Sequence, residues 1–339
     1  LSWIAVRRVR SFPMFAILSL LAPVFALLFI GILVERFRLV PPGGAATLNM
    51  LVFNLAMPCL IFSSMAVSDP ADLARGGYVG GTLAGMFVCC ALAHGLVSRG
   101  FRSRHAEASI MGVLASFPNT AFMGLPIMIS LFPDNHDAVL AATISTVFCL
   151  PLLLIGMFVQ EWCRNAEGLS RRRLLRKVAR TMGRNPILLA TLAGAVVCVA
   201  RLPVPEGALT VCRSLAATAT PCALVALGMV LSIQMTSSVR GESHLSWQIP
   251  VDLIKLILQP LLTLFALSGL GVSGEWLAMG VILAGMPTGS VAYVLSETYG
   301  VAARDASRVI LVDTALSVLT IPLMVFLLQR AGIMAGGGL

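Results

Sequence analysis

The feature that most constrains this chain is a recurring long run without a single Asp, Glu, Lys or Arg. Residues 12–34, 39–68, 76–98, 108–133, 138–160, 185–200, 214–239 and 277–296 carry no formal charge. Two more apolar runs are interrupted: 245–270 holds Asp252 and Lys255, and 309–329 holds Asp313. A helix crosses the hydrocarbon core of a bilayer with roughly 17–25 such residues. The runs therefore predict ten spans, which use most of the 339 residues and leave no room for a soluble domain.

Composition closes the alternatives. Apolar residues make up 58% of the chain and charged residues 12%, about half the charged share of a soluble domain. So little charge cannot cover a water-facing surface, which excludes a soluble enzyme, a disordered regulator and a disulfide-rich secreted module. The alternating ten-residue segments of a β-barrel are not seen. The eight cysteines show no C-x-x-C or Cys/His ligand spacing and read as small packing residues, so neither a disulfide nor a metal is expected. The formal charge of +9 falls in short clusters between uncharged runs, which points away from nucleic acid and toward positively charged cytoplasmic loops. Met14 opens the first apolar run, and residues 1–13 read as a tail or a misplaced start.

The two halves of the sequence repeat. With a shift of 163, residues 38–62 and 201–225 are identical at nine of 25 positions, among them Arg38/Arg201, Pro42/Pro205, Pro58/Pro221 and Cys59/Cys222. The shift drifts to 169 at Pro118/Pro287 and to 171 at Pro151/Pro322, as a few extra loop residues would produce. Each unit holds five spans. Five is odd, so the second unit enters the membrane in the opposite direction, an arrangement found in many secondary transporters. The expected organisation is a first five-helix repeat in residues 1–160, a basic cytoplasmic loop in 161–184 and a second repeat in 185–339. Sixteen Lys and Arg fall on one side of such a topology and seven on the other, with Lys255 inside the membrane. The richer side should be cytoplasmic, which places both termini outside.

The candidate chemistry sits where spans are broken. Span 4 contains Pro118 followed by Asn119 and Thr120, and span 9 contains Pro287 followed by Thr288, Gly289 and Ser290. Proline in mid-span removes a backbone donor and breaks the helix. Bilayers tolerate the freed groups only against protein or a cavity. After each break a half-helix begins whose N-terminus offers unpaired N–H groups and a positive dipole end. Asn119, Thr120, Thr288 and Ser290 can cap those ends or bind a ligand, and two such ends at the midplane make an anion site. In span 8, Gln248, Asp252, Lys255 and Gln259 are spaced 4, 3 and 4 apart on one helical face. Asp252 and Lys255 are close enough to pair. Lys255 is the counter-charge or coupling candidate, and Asp313 is a candidate protonation site. Asn54, one turn before Pro58, either lines the cavity or satisfies carbonyls freed near that kink. Gly76, Gly77, Gly80, Gly81 and Gly85 form small-xxx-small patterns that let helices approach closely. No H-E-x-x-H, Walker loop, G-x-S-x-G or paired carboxylates at catalytic spacing occur, so no enzymatic activity is expected.

Several stretches carry a family resemblance: Leu48-Asn49 leading to Ala56-Met57-Pro58-Cys59, Asn119-Thr120-Ala121-Phe122-Met123-Gly124-Leu125-Pro126, Asn185-Pro186, Pro221-Cys222, Met286-Pro287-Thr288-Gly289, and Ser317 through Pro322. With these the chain resembles the auxin efflux carrier family of secondary transporters, whose bacterial members include malonate and malate permeases. The resemblance implies an all-α integral membrane protein of ten helices in two inverted five-helix repeats. One part would be a scaffold. The other would carry crossing broken helices 4 and 9, as in sodium/proton antiporters and bile-acid symporters. The reading that follows is secondary transport of small organic anions in a bacterial-type inner membrane by elevator-like alternating access, with H+ or Na+ as candidate coupling ions, no cofactor, and a homodimer as one assembly open to it. Asp313 departs from the small polar residue the family leads one to expect. The rival readings are a sodium-coupled carrier of amphipathic, bile-acid-like anions, and a channel or membrane sensor; a channel should show polar stripes on several spans, and only span 8 has one.

Overall fold

In the computed structural model the described residues are 14–68, 70, 75–100, 105–133, 135–164, 180, 183–238 and 245–334. The N-terminal tail before Met14 and most of the basic 161–184 loop lie outside them. The described elements are helical: α1 (Met14–Arg36), α2 (Gly44–Ala66), α3 (Gly76–Gly100), α4 (His105–Leu114), α5 (Thr120–Leu131), α6 (Asp137–Cys163), α7 (Pro186–Val199), α8 (Glu206–Ser238), α9 (Trp247–Gly269), α10 (Gly274–Ala284), α11 (Ser290–Tyr299) and α12 (Ala303–Arg330). Among the described residues seven helices are long and apolar enough to cross a membrane, and α5, α7 and α10 are shorter apolar helices. The chain is a multi-pass membrane protein. Its outward faces carry large apolar side chains, Phe15, Phe265 and Leu319 among them, as a lipid-facing surface requires.

Proline shapes the helices locally. In α2, α5 and α9 the backbone widens into a π turn at Val52–Ala56, Thr120–Gly124 and Ile254–Leu258. Each turn ends two residues before a proline: Pro58, Pro126 and Pro260. A proline ring clashes with the carbonyl one turn back and offers that carbonyl no N–H; opening the turn by one residue relieves the clash.

The two halves end and pack alike. After α1, Leu39 N–H donates to Val34 O and Arg38 N–H to Glu35 O. After α7, Leu202 N–H donates to Val197 O and Arg201 N–H to Cys198 O. This is the same helix-ending motif at the same 163-residue offset, with Arg38 (φ 53°) and Arg201 (φ 50°) both left-handed where glycine is usual. α1 packs on α8 and α7 packs on α2. The first contact is closest at Gly31 and Gly228, where an added Cβ would strike the Val225 and Leu28 carbonyls; the second is closest at Gly194 against Met65. Adding 163 to Gly31 and Met65 gives Gly194 and Gly228. The glycine stripe of α3 serves packing, as expected: Gly81 rests on Leu267 and Gly85 on Thr263 of α9.

The most enclosed stretches lie in and just after two short elements, α4 and α10. Residues 108–120 and 276–289 are buried throughout, whereas the apolar windows of the seven long helices are at most half buried. α4 and α10, with the breaks that follow them, therefore form the centre of the molecule. At one rim the starts of α3, α6 and α10 are tied together. Trp276 stands edge-on to Tyr78 at 5.1 Å under the Arg75 guanidinium, and its indole N–H donates to Asp137 at 2.9 Å.

Candidate functional site

The breaks after α4 and α10 run past each other in extended conformation. They pair as an antiparallel bridge between Pro118 and Thr288. Asn119 N–H donates to Pro287 O at 2.8 Å, and Gly289 N–H donates to Phe117 O at 2.9 Å. Two interruptions 169 residues apart in sequence thus satisfy each other's backbone in the protein interior, as hydrocarbon depth demands.

The negative ends of α4 and α10 are then covered by donors from elsewhere. Pro118 cannot supply the N–H that Leu114 O would receive; the Thr288 hydroxyl stands 2.8 Å from that oxygen instead. Ser116 O accepts from Gln259 Nε2 at 3.0 Å. Ala284 O accepts from Lys255 Nζ at 2.7 Å, which sets the Lys255 amine at the C-terminal end of α10, where a cation is favoured. Lys255, Gln259 and Thr288 are each 0% exposed. The polar face read on span 8 therefore faces the crossing.

The Asp252–Lys255 pairing that the spacing allows is not the contact Lys255 makes. Among the described residues no ion pair joins them; Lys255 reaches the Ala284 carbonyl, and the Asp252 carboxyl adjoins Asp313 and Gln248. A spacing of three permits a contact within one helix, but a carbonyl stripped of its donor by a break is a stronger claimant. Asp313 is fully buried on α12, 2.5 Å from the Thr288 hydroxyl through Oδ2, and close enough to Lys255 for their charges to act on one another. Its Oδ1 has no partner.

The positive ends are treated differently. Asn119 caps α5, its Oδ1 accepting from Phe122 N–H at 3.3 Å. That fixes Nδ2 as the other end of the amide, and Nδ2 is buried without a partner. The Thr120 hydroxyl bonds Thr146 of α6 at 2.9 Å. Gly289 precedes α11 without a side-chain cap, and Ser290 is its first residue. Beside Thr146 a narrow crevice opens between α2 and the α5–α6 pair, lined by Met57, Ile61, Ala121, Leu125 and Thr143. Asn54 is not part of this centre. It is exposed, and its amide donates to Met50 O at 2.9 Å, satisfying the backbone beside the Val52–Ala56 turn. Thr146 was not singled out by the sequence; only the offset from the broken segment to the next span, unknowable in advance, would have found it.

A family model described as a membrane transport protein, Mem_trans, matches residues 16–325. The chain is 28% identical over 324 residues to a Rhizobium meliloti protein named "Putative malonate transporter", covering 94% of this chain and 98% of that one. It is 21% identical over 311 residues to the "Uncharacterized transporter YfdV" of Escherichia coli K12, covering 90% and 96%. An "Uncharacterized transporter" of Methanothermobacter thermautotrophicus is 24% identical over 310 residues, covering 88% and 94%.

Proposed function

The chain belongs to the Mem_trans family of membrane transport proteins, the auxin efflux carrier family, and we propose that it is a secondary carrier of small organic anions. The observation that carries this reading is the uneven treatment of the crossing. The acceptor ends of α4 and α10 are occupied by Thr288, Gln259 and Lys255, whereas the buried Asn119 Nδ2 is left as an open donor at the start of α5. An open donor beside two positive helix ends suits a carboxylate. Malonate is the first substrate to try, since a relative across nearly the whole chain bears that name.

On this reading the short and long helices make ten crossings in two inverted repeats. The identical endings at Arg38 and Arg201 and the exchanged contacts Gly31–Gly228 and Gly194–Met65 support it. α1, α2, α7 and α8 are the scaffold, and the elements around the crossing move against them. The crevice between α2 and α5–α6 holds only about 10 Å³ of free space, room for roughly one water. Substrate therefore enters when those faces part. Asp313 and Lys255 supply the coupling, with H+ as the ion. On this reading the chain sits in a bacterial-type inner membrane, and the positive-inside count supports a cytoplasmic 161–184 loop.

The test is uptake of labelled malonate into proteoliposomes under an imposed proton gradient. Wild-type protein should accumulate it. Asn119→Ala should lower uptake by about 10–100-fold, the value of one hydrogen bond to a charged group, while melting as the wild type does. Full uptake by that variant sinks the crossing as the substrate site.

A further inference from the structure

Away from the crossing, a cleft of about 570 Å³ opens between α3, α4 and α6. Its polarity is graded along the helices. On α3 the lining begins with Phe87 and Cys90 and ends with His94, Ser98 and Arg99 at the helix terminus; on α4 it runs from Val113 outward to His105. Phe87 to Arg99 is twelve residues, about 18 Å of helix, which is close to the thickness of one leaflet, about 15 Å. The His94 and His105 rings stack at 5.7 Å with 12° between planes, so the rim presents two imidazoles beside an exposed guanidinium. Among the described residues no acidic side chain lines the cleft. Of the flanking carboxylates, Glu107 stands in the first turn of α4 and Glu161 of α6 receives the Tyr299 hydroxyl at 3.0 Å, its neighbour Gln160 being held on Ala106 O and Ser109.

We propose that this cleft is a binding site for an anionic phospholipid, with the phosphate at Arg99 and His105 and an acyl chain running inward past Ile155 to Phe87 and Val113. Charge complementarity selects the headgroup, and the leaflet-deep apolar end selects a lipid over a soluble anion, which has nothing to place there. A basic rim between transmembrane helices at headgroup depth is suited to an anionic headgroup. The inference requires only that the chain lies in a bilayer; it does not depend on the carrier reading.

The full-length protein, reconstituted in nanodiscs of phosphatidylcholine and phosphatidylglycerol, is released into native mass spectrometry and its retained lipid counted. Phosphatidylglycerol should be retained in excess over its share in the disc. Arg99→Gln should reduce that excess by about fivefold, and His105→Gln should reduce it further. Ile155→Trp, which fills the apolar end without altering charge, should lower retention of either lipid. Equal retention of the two lipids overturns the proposal, as does an excess unchanged in all three variants. Displacement of phosphatidylglycerol by millimolar malonate would assign the cleft to soluble carboxylates and overturn it as well. Lipid retention is read without any transport assay, so failure here leaves the carrier reading standing.

Discussion

The Thr288 hydroxyl lies 2.5 Å from Asp313 Oδ2 and 2.8 Å from Leu114 O, and it has one proton to give. Leu114 O can only accept. Both contacts are hydrogen bonds at once only when Asp313 carries a proton and donates it to Thr288. When Asp313 is ionised, Thr288 turns to it and the carbonyl that Pro118 left bare loses its cover. The proton on Asp313 and the cap on α4 are therefore linked through one hydroxyl.

Asp313→Asn should hold the protonated arrangement, because an amide donates to Thr288 as a carboxylic acid does. The variant is expected to fold, and to exchange labelled for unlabelled malonate across the membrane. It should no longer concentrate malonate in response to a proton gradient. Gradient-driven uptake equal to wild type would remove Asp313 from coupling.

Lys255 has two duties, and substitutions separate them. Lys255→Met removes the donor to Ala284 O and leaves a buried acceptor bare, at a cost of about 1–3 kcal/mol. Lys255→Gln keeps a donor and should melt between Lys255→Met and wild type. Because Lys255 and Asp313 act on each other's charge, Lys255→Met with Asp313→Asn should cost less than the two single changes added together. Thermal unfolding of the five proteins, wild type included, in one detergent checks the order; strict additivity would mean the two charges do not sense each other.

Much of this centre was legible in the sequence, and the reasons are local. A proline followed by small polar residues inside an uncharged run marks a break wherever it occurs, so Pro118 and Pro287 stood out, as did the one polar stripe on α9. What sequence could not supply was the partner of each freed group. Thr288 covers Leu114 from 174 residues away, and Lys255 prefers the Ala284 carbonyl to the aspartate three residues before it. Those choices are made by packing between helices, which no spacing within one helix encodes. Asn54 was undecided between cavity and backbone for the same reason, and the structure puts it on the backbone. The π turns before Pro58, Pro126 and Pro260 show that proline's effect reaches back a full turn, where a sequence reading places only a kink.

The crossing of α1 and α8 should tolerate no side chain at its centre. A Cβ at Gly31 meets backbone of α8, and one at Gly228 meets backbone of α1; neither neighbour can rotate away. Gly31→Ala is expected to destabilise by about 1–3 kcal/mol through overpacking. Gly207→Ala, with nothing near its Cβ, should be close to neutral. Comparing the melting temperatures of the two variants is enough, and equal values would mean the helices are free to separate.

If the proposed alternating access operates, the crevice beside Thr146 must open and close. Ile61 and Met57 belong to α2, in the proposed scaffold; Ala121 and Leu125 belong to α5, in the proposed moving part. Cysteines placed at Ile61 and Leu125, in a background with the eight native cysteines removed, should be bridged by mercuric ion in this closed arrangement. Bridging should stop malonate uptake, and excess thiol should restore it. Either cysteine alone should leave uptake insensitive to mercury. A bridged protein that transports at the unbridged rate would show that α2 and α5 stay together through the cycle, and the division into scaffold and moving part would have to be drawn elsewhere.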